Sequence, residues 1–158
     1  FITDPRIYMK NFDCIGLNGR NLMDDWKDGA ESYYGITTAG YPNMFQLVGP
    51  NTTLGHNSII FMIEAQVHYI LEMMKLMRKQ GVDAVDVRED VQKAFNNKVQ
   101  KELQGTVWQQ GGCSSWYQQD GGKNFALWPG YTWRYWLETR RVKASNFVFS
   151  KAKKAVTV

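Results

Sequence analysis

The strongest hydrophobic pattern in the chain predicts one long helix that begins near Asn57 and ends at Gly81. The segment 59–63 is apolar on all sides, so the first turns of this helix are expected to be buried all round. Farther along, apolar side chains recur with the period of an α-helix: Val67, Ile70, Leu71, Met74 and Met77. We therefore expect a helix whose N-terminal end lies in the core and whose basic C-terminal end reaches the surface.

Weaker patterns predict a second long helix and several short strands. Apolar residues recur about every fourth position over residues 88–108, which indicates a helix. A shorter helix is expected at 131–139 and a single helical turn at 22–26. Short strands are predicted at 12–17, 33–37, 43–48, 82–87 and 147–149. Together these elements place the chain in a mixed α/β fold class.

The segment 43–57 is the first candidate for a ligand site. Its first part, 43–48, is a continuous apolar run, which is typical of a strand buried on both faces. A turn rich in Gly, Asn and Thr then precedes the helix: Gly49-Pro50-Asn51-Thr52-Thr53-Leu54-Gly55-His56. The free backbone N–H groups at a helix N-terminus can bind an anionic or carbonyl-bearing ligand. An ordinary connection between a strand and a helix is the alternative, and the residues alone leave both open.

Residues 108–136 are rich in tryptophan, tyrosine and glycine. Within them, Asp120-Gly121-Gly122 predicts a hairpin turn between 114–118 and 124–127. Exposed aromatic rings in this segment could bind sugars, as in a lectin-like module, or large aromatic side chains could complete the hydrophobic core. Packing is favoured, because the neighbouring glycines permit close approach of the backbone.

The remaining chemistry-bearing residues predict little. His56 and His68 are the only histidines and have no cysteine or carboxylate cluster beside them, so they do not indicate a metal site. Glu64 and Gln66 lie in the apolar part of the long helix, where a structural hydrogen bond is favoured over acid–base chemistry. No Walker, HExxH, GxSxG or GxGxxG pattern occurs, so the chain cannot hold a dinucleotide through the usual glycine fingerprint.

Composition and charge indicate a folded protein with one domain. With 158 residues, 44% of them hydrophobic and 14% aromatic, the chain is expected to fold as one domain. The net charge of +4 comes mostly from the last quarter, where a solvated basic tail is favoured over a surface for nucleic acid or membrane. Cys14 and Cys113 do not make a disulfide framework, which favours a reducing cytoplasm. The start at Phe1, without Met or a signal peptide, suggests a fragment of a longer polypeptide.

Several motifs resemble the C-terminal third of the class B flavoprotein monooxygenases. The motifs that carry the resemblance are Gly40-Tyr41-Pro42-Asn43-Met44-Phe45, Gly49-Pro50-Asn51-Thr52, Gly55-His56-Asn57-Ser58, Ile63-Glu64-Ala65-Gln66-Val67 and Trp128-Pro129-Gly130. The resemblance covers essentially the whole chain. Its nearest branch is the Baeyer–Villiger type, close to the hydroxyacetophenone monooxygenases.

The resemblance implies an enzyme that depends on FAD and NADPH and inserts one oxygen atom from O2 into a ketone or a heteroatom of a small-molecule substrate. By position in the family, the turn and the helix start border the isoalloxazine ring of FAD. The residues expected to contact the cofactor are Pro50, Asn51, Thr52, Asn57, Ser58 and Ile59. The residues expected to line the substrate cavity are Leu54, Gly55 and His56. The helix dipole would then favour negative charge on the reduced flavin.

The resemblance also implies that the rest of the enzyme lies outside this sequence. The family's glycine fingerprints and its catalytic arginine are absent here, so no catalytic residue is assigned and the chain alone is expected to be inactive. Residues 1–81 would complete the FAD-binding domain, and residues 82–158 would form a helical and aromatic extension.

The expected partners are the missing FAD- and NADPH-binding domains of the same polypeptide, with self-association of the isolated chain through its uncovered face. No nucleic-acid partner and no membrane span are predicted. The alternative function is a stand-alone carbohydrate- or protein-binding module built on the Trp-rich segment.

Overall fold

A computed structural model describes residues 5–9, 11–55, 57–107 and 123–151. The described helices are α1 (Pro5–Met9), α2 (Leu22–Asp25), α3 (Ile59–Gln80), α4 (Glu89–Gln104) and α5 (Thr132–Glu138). The described strands are β1 (Ala84–Val87) and β2 (Phe147–Ser150), and short 3-10 turns lie at Leu17–Gly19 and Ala144–Asn146. This combination of helices and a small sheet confirms the mixed α/β class.

The two long helices form where the hydrophobic period predicts them. α3 is 22 residues long and ends at Gly81, whose left-handed backbone (φ 61°, ψ 40°) lets its N–H bond the carbonyls of Arg78 and Met77. α4 is 16 residues long and opens with Glu89 and Asp90, whose negative charge suits a helix N-terminus. Local sequence signals therefore determine where α3 ends and where α4 begins.

The buried face of α3 differs from the predicted one. Its buried residues are Met62, Ala65, Gln66, Tyr69 and Met73. By contrast, Ile60, Val67, Leu71 and Met74 are 58, 39, 51 and 54% exposed. We call these four residues the outer stripe of α3. The helix is apolar on two sides, and only one of them packs against the described part of the chain, so the expectation of burial all round is wrong.

The small sheet brings the C-terminal segment back to the middle of the chain. β1 and β2 pair antiparallel, with Ala84 opposite Ser150 and Val87 opposite Phe147. Val87 and Phe147 are 3% and 6% exposed, so one face of the sheet lies on the core. Both strands were predicted from the sequence, and both are confirmed.

Two other predicted strands, at 12–17 and 33–37, do not form. Each range takes part in only a single isolated bridge. In 33–37 the backbone φ angles of Tyr34 and Gly35 are +55° and +65°, which turns the chain back on itself. A strand needs negative φ at every position, so this segment is a tight turn although its side chains are typical of a strand.

The predicted buried strand at 43–48 is also wrong. Asn43 and Val48 have φ values of +60° and +56°, which interrupt any extended conformation at both ends of the run. Asn43 is exposed, so the segment is not buried on both faces. The site candidate is therefore an irregular loop that leads into α3 rather than a strand, a turn and a helix.

One main core holds these elements together. It contains the buried residues Tyr33, Ile36, Met62, Tyr69, Met73, Val85, Val87, Phe95, Val99, Leu103, Leu127, Trp128, Tyr135 and Phe147. Full burial of each large side chain stabilises the fold by about 1.5–3 kcal/mol. The core draws on residues before and after position 81, and the predicted division into two parts at that position stays a prediction.

The aromatic C-terminal part contributes to this core, as the packing interpretation predicts. Trp128 is 4% exposed and Tyr135 is fully buried, and their rings meet edge to face with centroids 5.1 Å apart. The predicted hairpin turn at 120–122 and its first strand, 114–118, lie outside the described residues. The described range 124–127 forms no strand, and its Leu127 makes a single isolated bridge with Thr53.

Candidate functional site

The turn that precedes α3 has a buried inner part. Asn51 and Thr52 are 2% and 0% exposed, and Pro50 is also buried. The Thr52 hydroxyl donates to the carbonyl of Gly49 over 2.6 Å. A β-carbon on Gly35 would overlap the methyl group of Thr52, and the φ of Gly35 is +65°. Glycine at position 35 therefore permits the close approach that buries this part of the turn.

Backbone hydrogen bonds join the inner part of the turn to the segment 124–128. Asn51 N–H donates to Phe125 O at 2.7 Å, Thr53 N–H to Ala126 O at 2.9 Å, and Trp128 N–H to Thr53 O at 3.0 Å. The two segments therefore run side by side like a very short parallel ladder. The turn is held by a segment of the chain more than 70 residues away in sequence.

The side chain of Asn51 adds a second set of bonds between these segments. Its Nδ2 donates to the carbonyls of Asn124 at 2.8 Å and Leu127 at 3.1 Å. Gln100 on α4 also donates to the Asn124 carbonyl, at 2.6 Å, and accepts the Asn124 N–H at 3.2 Å. We call Asn51, Asn124 and Gln100 the asparagine clamp. It fixes the turn, the 124–128 segment and α4 relative to one another.

Gln66 supports the loop from the other side. This side chain is fully buried, and its Oε1 accepts the N–H of Val48 at 2.9 Å. The structural role predicted for Gln66 is therefore correct. Its neighbour Glu64 is exposed, so its expected position in a buried stretch of the helix is wrong.

The outer part of the turn faces away from the core. Gly55, Asn57 and Ser58 are exposed, and Leu54 is half-buried against the core. His56 lies outside the described residues. Within the part of the turn that the structure describes, no side chain carries an acid, a base or a nucleophilic thiol, so this part can orient a ligand but cannot transfer protons.

The start of α3 presents backbone donors without a side-chain cap. Ser58 occupies the position before the first helical residue, Ile59, but its hydroxyl makes no capping hydrogen bond. The Asn57 side chain accepts the Ser58 N–H at 2.7 Å and donates to Thr132 on α5 at 2.9 Å. Among the described residues, no side chain caps the first N–H groups of the helix itself, so these groups can meet an acceptor of partial or full negative charge.

Titratable groups near the core do not favour acid–base chemistry. Tyr34 donates to Glu138 at 3.2 Å, and Tyr135 donates to the Tyr34 carbonyl at 2.6 Å. Burial raises the pKa of both phenols well above the ordinary tyrosine range. They therefore stay neutral near physiological pH and act as hydrogen-bond donors.

Metal and membrane features are not found in the described residues. No group of three or more His, Cys, Asp or Glu side chains within them could hold a metal ion. Their helices are also too short or too polar to cross a bilayer. Cys14 is a free thiol whose Sγ lies 3.4 Å from the sulfur of Met44, and Cys113 falls outside the described ranges.

The sequence predicted the turn but missed the residues that hold it. Asn124 and Gln100 carry no local pattern that links them to Asn51, because the link is a tertiary contact. The contact roles predicted for Pro50, Asn51, Thr52, Asn57, Ser58 and Ile59 toward a cofactor, and for Leu54, Gly55 and His56 toward a substrate, stay predictions. The structure brings the described members together, with the first three buried and the others at or near the surface.

Curated proteins with similar sequences are monooxygenases. A Baeyer–Villiger monooxygenase of Pseudomonas aeruginosa is 47% identical over 134 residues, which is 84% of this chain and 25% of that protein. A Baeyer–Villiger monooxygenase of Streptomyces coelicolor is 40% identical over 84% of this chain and 26% of its own length. An FAD-binding monooxygenase of Aspergillus niger, ktnD, is 39% identical over 94% of this chain and 24% of its own length. No protein-family model matches the chain.

Solved structures show the same fold within larger proteins. A steroid monooxygenase bound to NADP superposes with a TM-score of 0.79 at 19% identity, over 91% of this chain and 28% of that one. Cyclohexanone monooxygenase from Rhodococcus sp. Phi1 bound to NADP+ gives a TM-score of 0.77 at 24% identity, over 92% of this chain and 28% of that one. The chain spans about a quarter of the length of the curated relatives it matches. It therefore belongs to the family of Baeyer–Villiger and FAD-binding monooxygenases.

Proposed function

We propose that this chain is part of an FAD- and NADPH-dependent monooxygenase that inserts one oxygen atom from O2 into a ketone or oxidises a heteroatom. The observation that carries the proposal is the 47% identity to a Baeyer–Villiger monooxygenase over 84% of the chain. The relative from Aspergillus niger is named an FAD-binding monooxygenase, and a structural neighbour was solved with NADP. The chain supplies no nucleotide fingerprint of its own, so the activity belongs to a longer polypeptide that contains it. A cytoplasmic location is part of the same proposal.

The proposed role of the chain is to form one wall of the flavin site. FAD, when bound, supplies the redox chemistry with O2, and the protein supplies orientation and electrostatics. The uncapped start of α3 fits this group, because exposed N–H groups at a helix N-terminus favour the carbonyl oxygens of a flavin and negative charge on it. Asn57, Ser58 and Ile59 would lie beside the ring.

The buried part of the turn would support this wall through the backbone. Pro50, Asn51 and Thr52 face the interior, and both Asn51 Nδ2 hydrogen bonds go to protein carbonyls. Their contribution to cofactor binding would therefore be to fix the path of the chain rather than to meet the flavin with their side chains. Leu54, Gly55 and His56 would line the substrate cavity.

The outer stripe of α3 is the proposed contact with the remaining domains of the polypeptide. Its four residues are 39–58% exposed, which is unusual for an aligned set of large apolar side chains. About three-quarters of the length of the curated relatives has no counterpart in this chain. Proteins of this family therefore contain other segments that could pack against the stripe. The isolated chain would self-associate through the same face, and it would be inactive.

The alternative of a stand-alone carbohydrate- or protein-binding module has no support from the comparisons. Among the described tryptophans of the segment, Trp128 is buried in the core, whereas Trp133 is 58% exposed.

The central test uses the longer polypeptide that contains this sequence. It should purify with the absorbance of a flavin, consume NADPH and O2, and convert a ketone to an ester or oxidise a sulfide. A colourless protein that takes up no added FAD would refute the assignment.

Two substitutions test the placement of the turn in that polypeptide. Gly55→Val and Asn57→Ala should change the flavin absorbance spectrum or increase the release of hydrogen peroxide per NADPH consumed. The matched controls are Gly105→Val and Asn97→Ala, which alter an exposed glycine and an exposed asparagine outside the turn. If the turn variants and the controls show the same spectrum and the same coupling, the turn does not border the flavin.

A further inference from the structure

The outward face of α5 and the residue that precedes the helix carry large apolar side chains. Tyr131, Trp133 and Leu137 are 69, 58 and 55% exposed. The rings of Tyr131 and Trp133 stack on each other, with centroids 6.1 Å apart and an interplanar angle of 13°. The opposite face of the helix, which includes the fully buried Tyr135, packs in the core. An aligned group of protruding aromatic and aliphatic side chains is expected only where something covers it.

A basic groove continues this apolar face beyond the end of the helix. Leu137 and Trp136 line a cavity of about 870 Å³ together with Arg140, Arg141 and Lys143. The Arg140 guanidinium lies 4.3 Å from the centroid of the Trp136 ring. Among the described residues, no carboxylate lies within ion-pair distance of these three cations.

The carboxylates that also line the groove are already engaged. Glu138 pairs with Arg134 at 3.0 Å and with Lys98 at 3.6 Å. Glu72 pairs with Lys75 at 2.7 Å. The charge that the groove presents outward is therefore positive. Leu137, which lines the groove, lies one helical turn after the exposed Trp133.

We propose that this face, formed by Tyr131, Trp133, Leu137 and the three cations Arg140, Arg141 and Lys143, docks on the surface of an anionic lipid bilayer. Tyr and Trp side chains favour the interface between water and hydrocarbon, because each has an apolar ring and a polar edge. Neighbouring Arg and Lys side chains bind the anionic headgroups. The proposal is independent of the flavin chemistry and needs no membrane-spanning helix.

Protruding side chains favour a bilayer over an acidic protein as the partner. A protein partner would need preformed pockets for the aromatic side chains, whereas a fluid interface accepts any side chain that stands out of the surface. Leu137 belongs to the apolar group and lines the same groove as the three cations, so the apolar and the basic parts of this face are continuous. An acidic protein and the remaining domains of the polypeptide are the competing occupants.

The test is sedimentation of the longer polypeptide with lipid vesicles. It should bind vesicles that contain phosphatidylglycerol and phosphatidylcholine in equal parts, and bind vesicles of phosphatidylcholine alone much more weakly. Replacing Arg140, Arg141 and Lys143 by Gln should weaken binding by about five-fold per cation, or on the order of 100-fold in total. The control variant replaces Lys27, Arg78 and Lys93 by Gln, which removes the same charge outside the groove, and it should bind nearly as tightly as the unmodified protein.

Insertion of the aromatic face is tested separately. Lipids brominated on their acyl chains should quench part of the tryptophan fluorescence, and Trp133→Phe should lose that quenched part while still sedimenting with the vesicles. The proposal is overturned if the polypeptide does not sediment, if both lipid compositions bind it equally, or if the two charge variants behave alike. Equal quenching in Trp133→Phe also overturns it, because Trp133 would then not enter the bilayer. Absence of binding in a folded protein would indicate that other domains or a protein partner cover this face.

Discussion

Replacement of Asn51 by alanine should remove more stability than any exposed asparagine can. The substitution deletes hydrogen bonds to Asn124 O and Leu127 O, each with a net contribution of about 1 kcal/mol. Asn124 O keeps the donor from Gln100, but the Leu127 carbonyl, in a residue that is 2% exposed, loses the side-chain donor. Leaving this buried carbonyl without that donor costs about 1 kcal/mol more. Alanine at a φ of +58° adds about 1 kcal/mol of backbone strain, so the total is about 4 kcal/mol.

Urea unfolding followed by tryptophan fluorescence and far-ultraviolet circular dichroism measures this loss. The matched control is Asn18→Ala, because Asn18 has nearly the same φ of +57° but is exposed. It should cost only the strain, about 1 kcal/mol. Asn51→Gly keeps the hydrogen-bond loss but relieves the strain, so it should fall between the two variants. If Asn51→Ala and Asn18→Ala lower the unfolding free energy equally, the asparagine clamp does not stabilise the turn.

Three further predictions concern the framework around the turn. Val48 has a φ of +56°, which is unfavourable for a β-branched residue. Val48→Asn should therefore raise the unfolding free energy, measured by urea titration, by about 0.5–1 kcal/mol. A loss of stability in this variant would contradict the strain argument. Arg134 joins α5 to α4 through two hydrogen bonds to Glu102, at 2.8 and 3.0 Å, so Arg134→Met should cost about 1 kcal/mol. Arg140→Met, which removes an arginine outside this pair, is its control, and an equal loss in both would refute the role of the pair. Burial raises the pKa of Asp86, so the folded state favours its protonated form, and stability should fall as pH rises from about 4 through the raised pKa. Asp86→Asn should lack this pH-dependent loss of stability. If the melting temperatures of the variant and of the unmodified protein depend on pH in the same way between pH 3 and 7, Asp86 is not the group responsible.

The long helices could be predicted because their signals are local. The periodic apolar positions of α4 and the left-handed glycine after α3 each act within a few residues of the element that they define. The choice between the two apolar faces of α3 could not be predicted in this way. Met62 and Met73 face the core while Leu71 and Met74 do not, and all four have similar hydrophobicity.

In the loop before α3, the side-chain pattern predicts a backbone conformation that the chain does not adopt. Residues 43–48 have the composition of a strand, but Asn43 and Val48 adopt left-handed φ angles that no apolar pattern reports. The Val48 conformation is held by the hydrogen bond from its N–H to Gln66, a contact across 18 positions in the chain. The Gly, Asn and Thr content of the segment therefore predicted a turn, whereas the supports of that turn arise from tertiary contacts. The role of the turn as a ligand site stays a prediction.

The distance in sequence between Asn51 and its partners sets the order in which the turn can form. Its acceptors at Asn124 and Leu127 are 73 and 76 positions later in the chain. At a synthesis rate of about 5–20 residues per second, the ribosome needs several seconds to produce them after Asn51 has been made. α3 can form locally during that interval, but the turn in front of it has no clamp until the last quarter of this sequence is available. A polypeptide truncated before residue 123 should therefore keep much of its helix content and lose the fixed geometry at the start of α3.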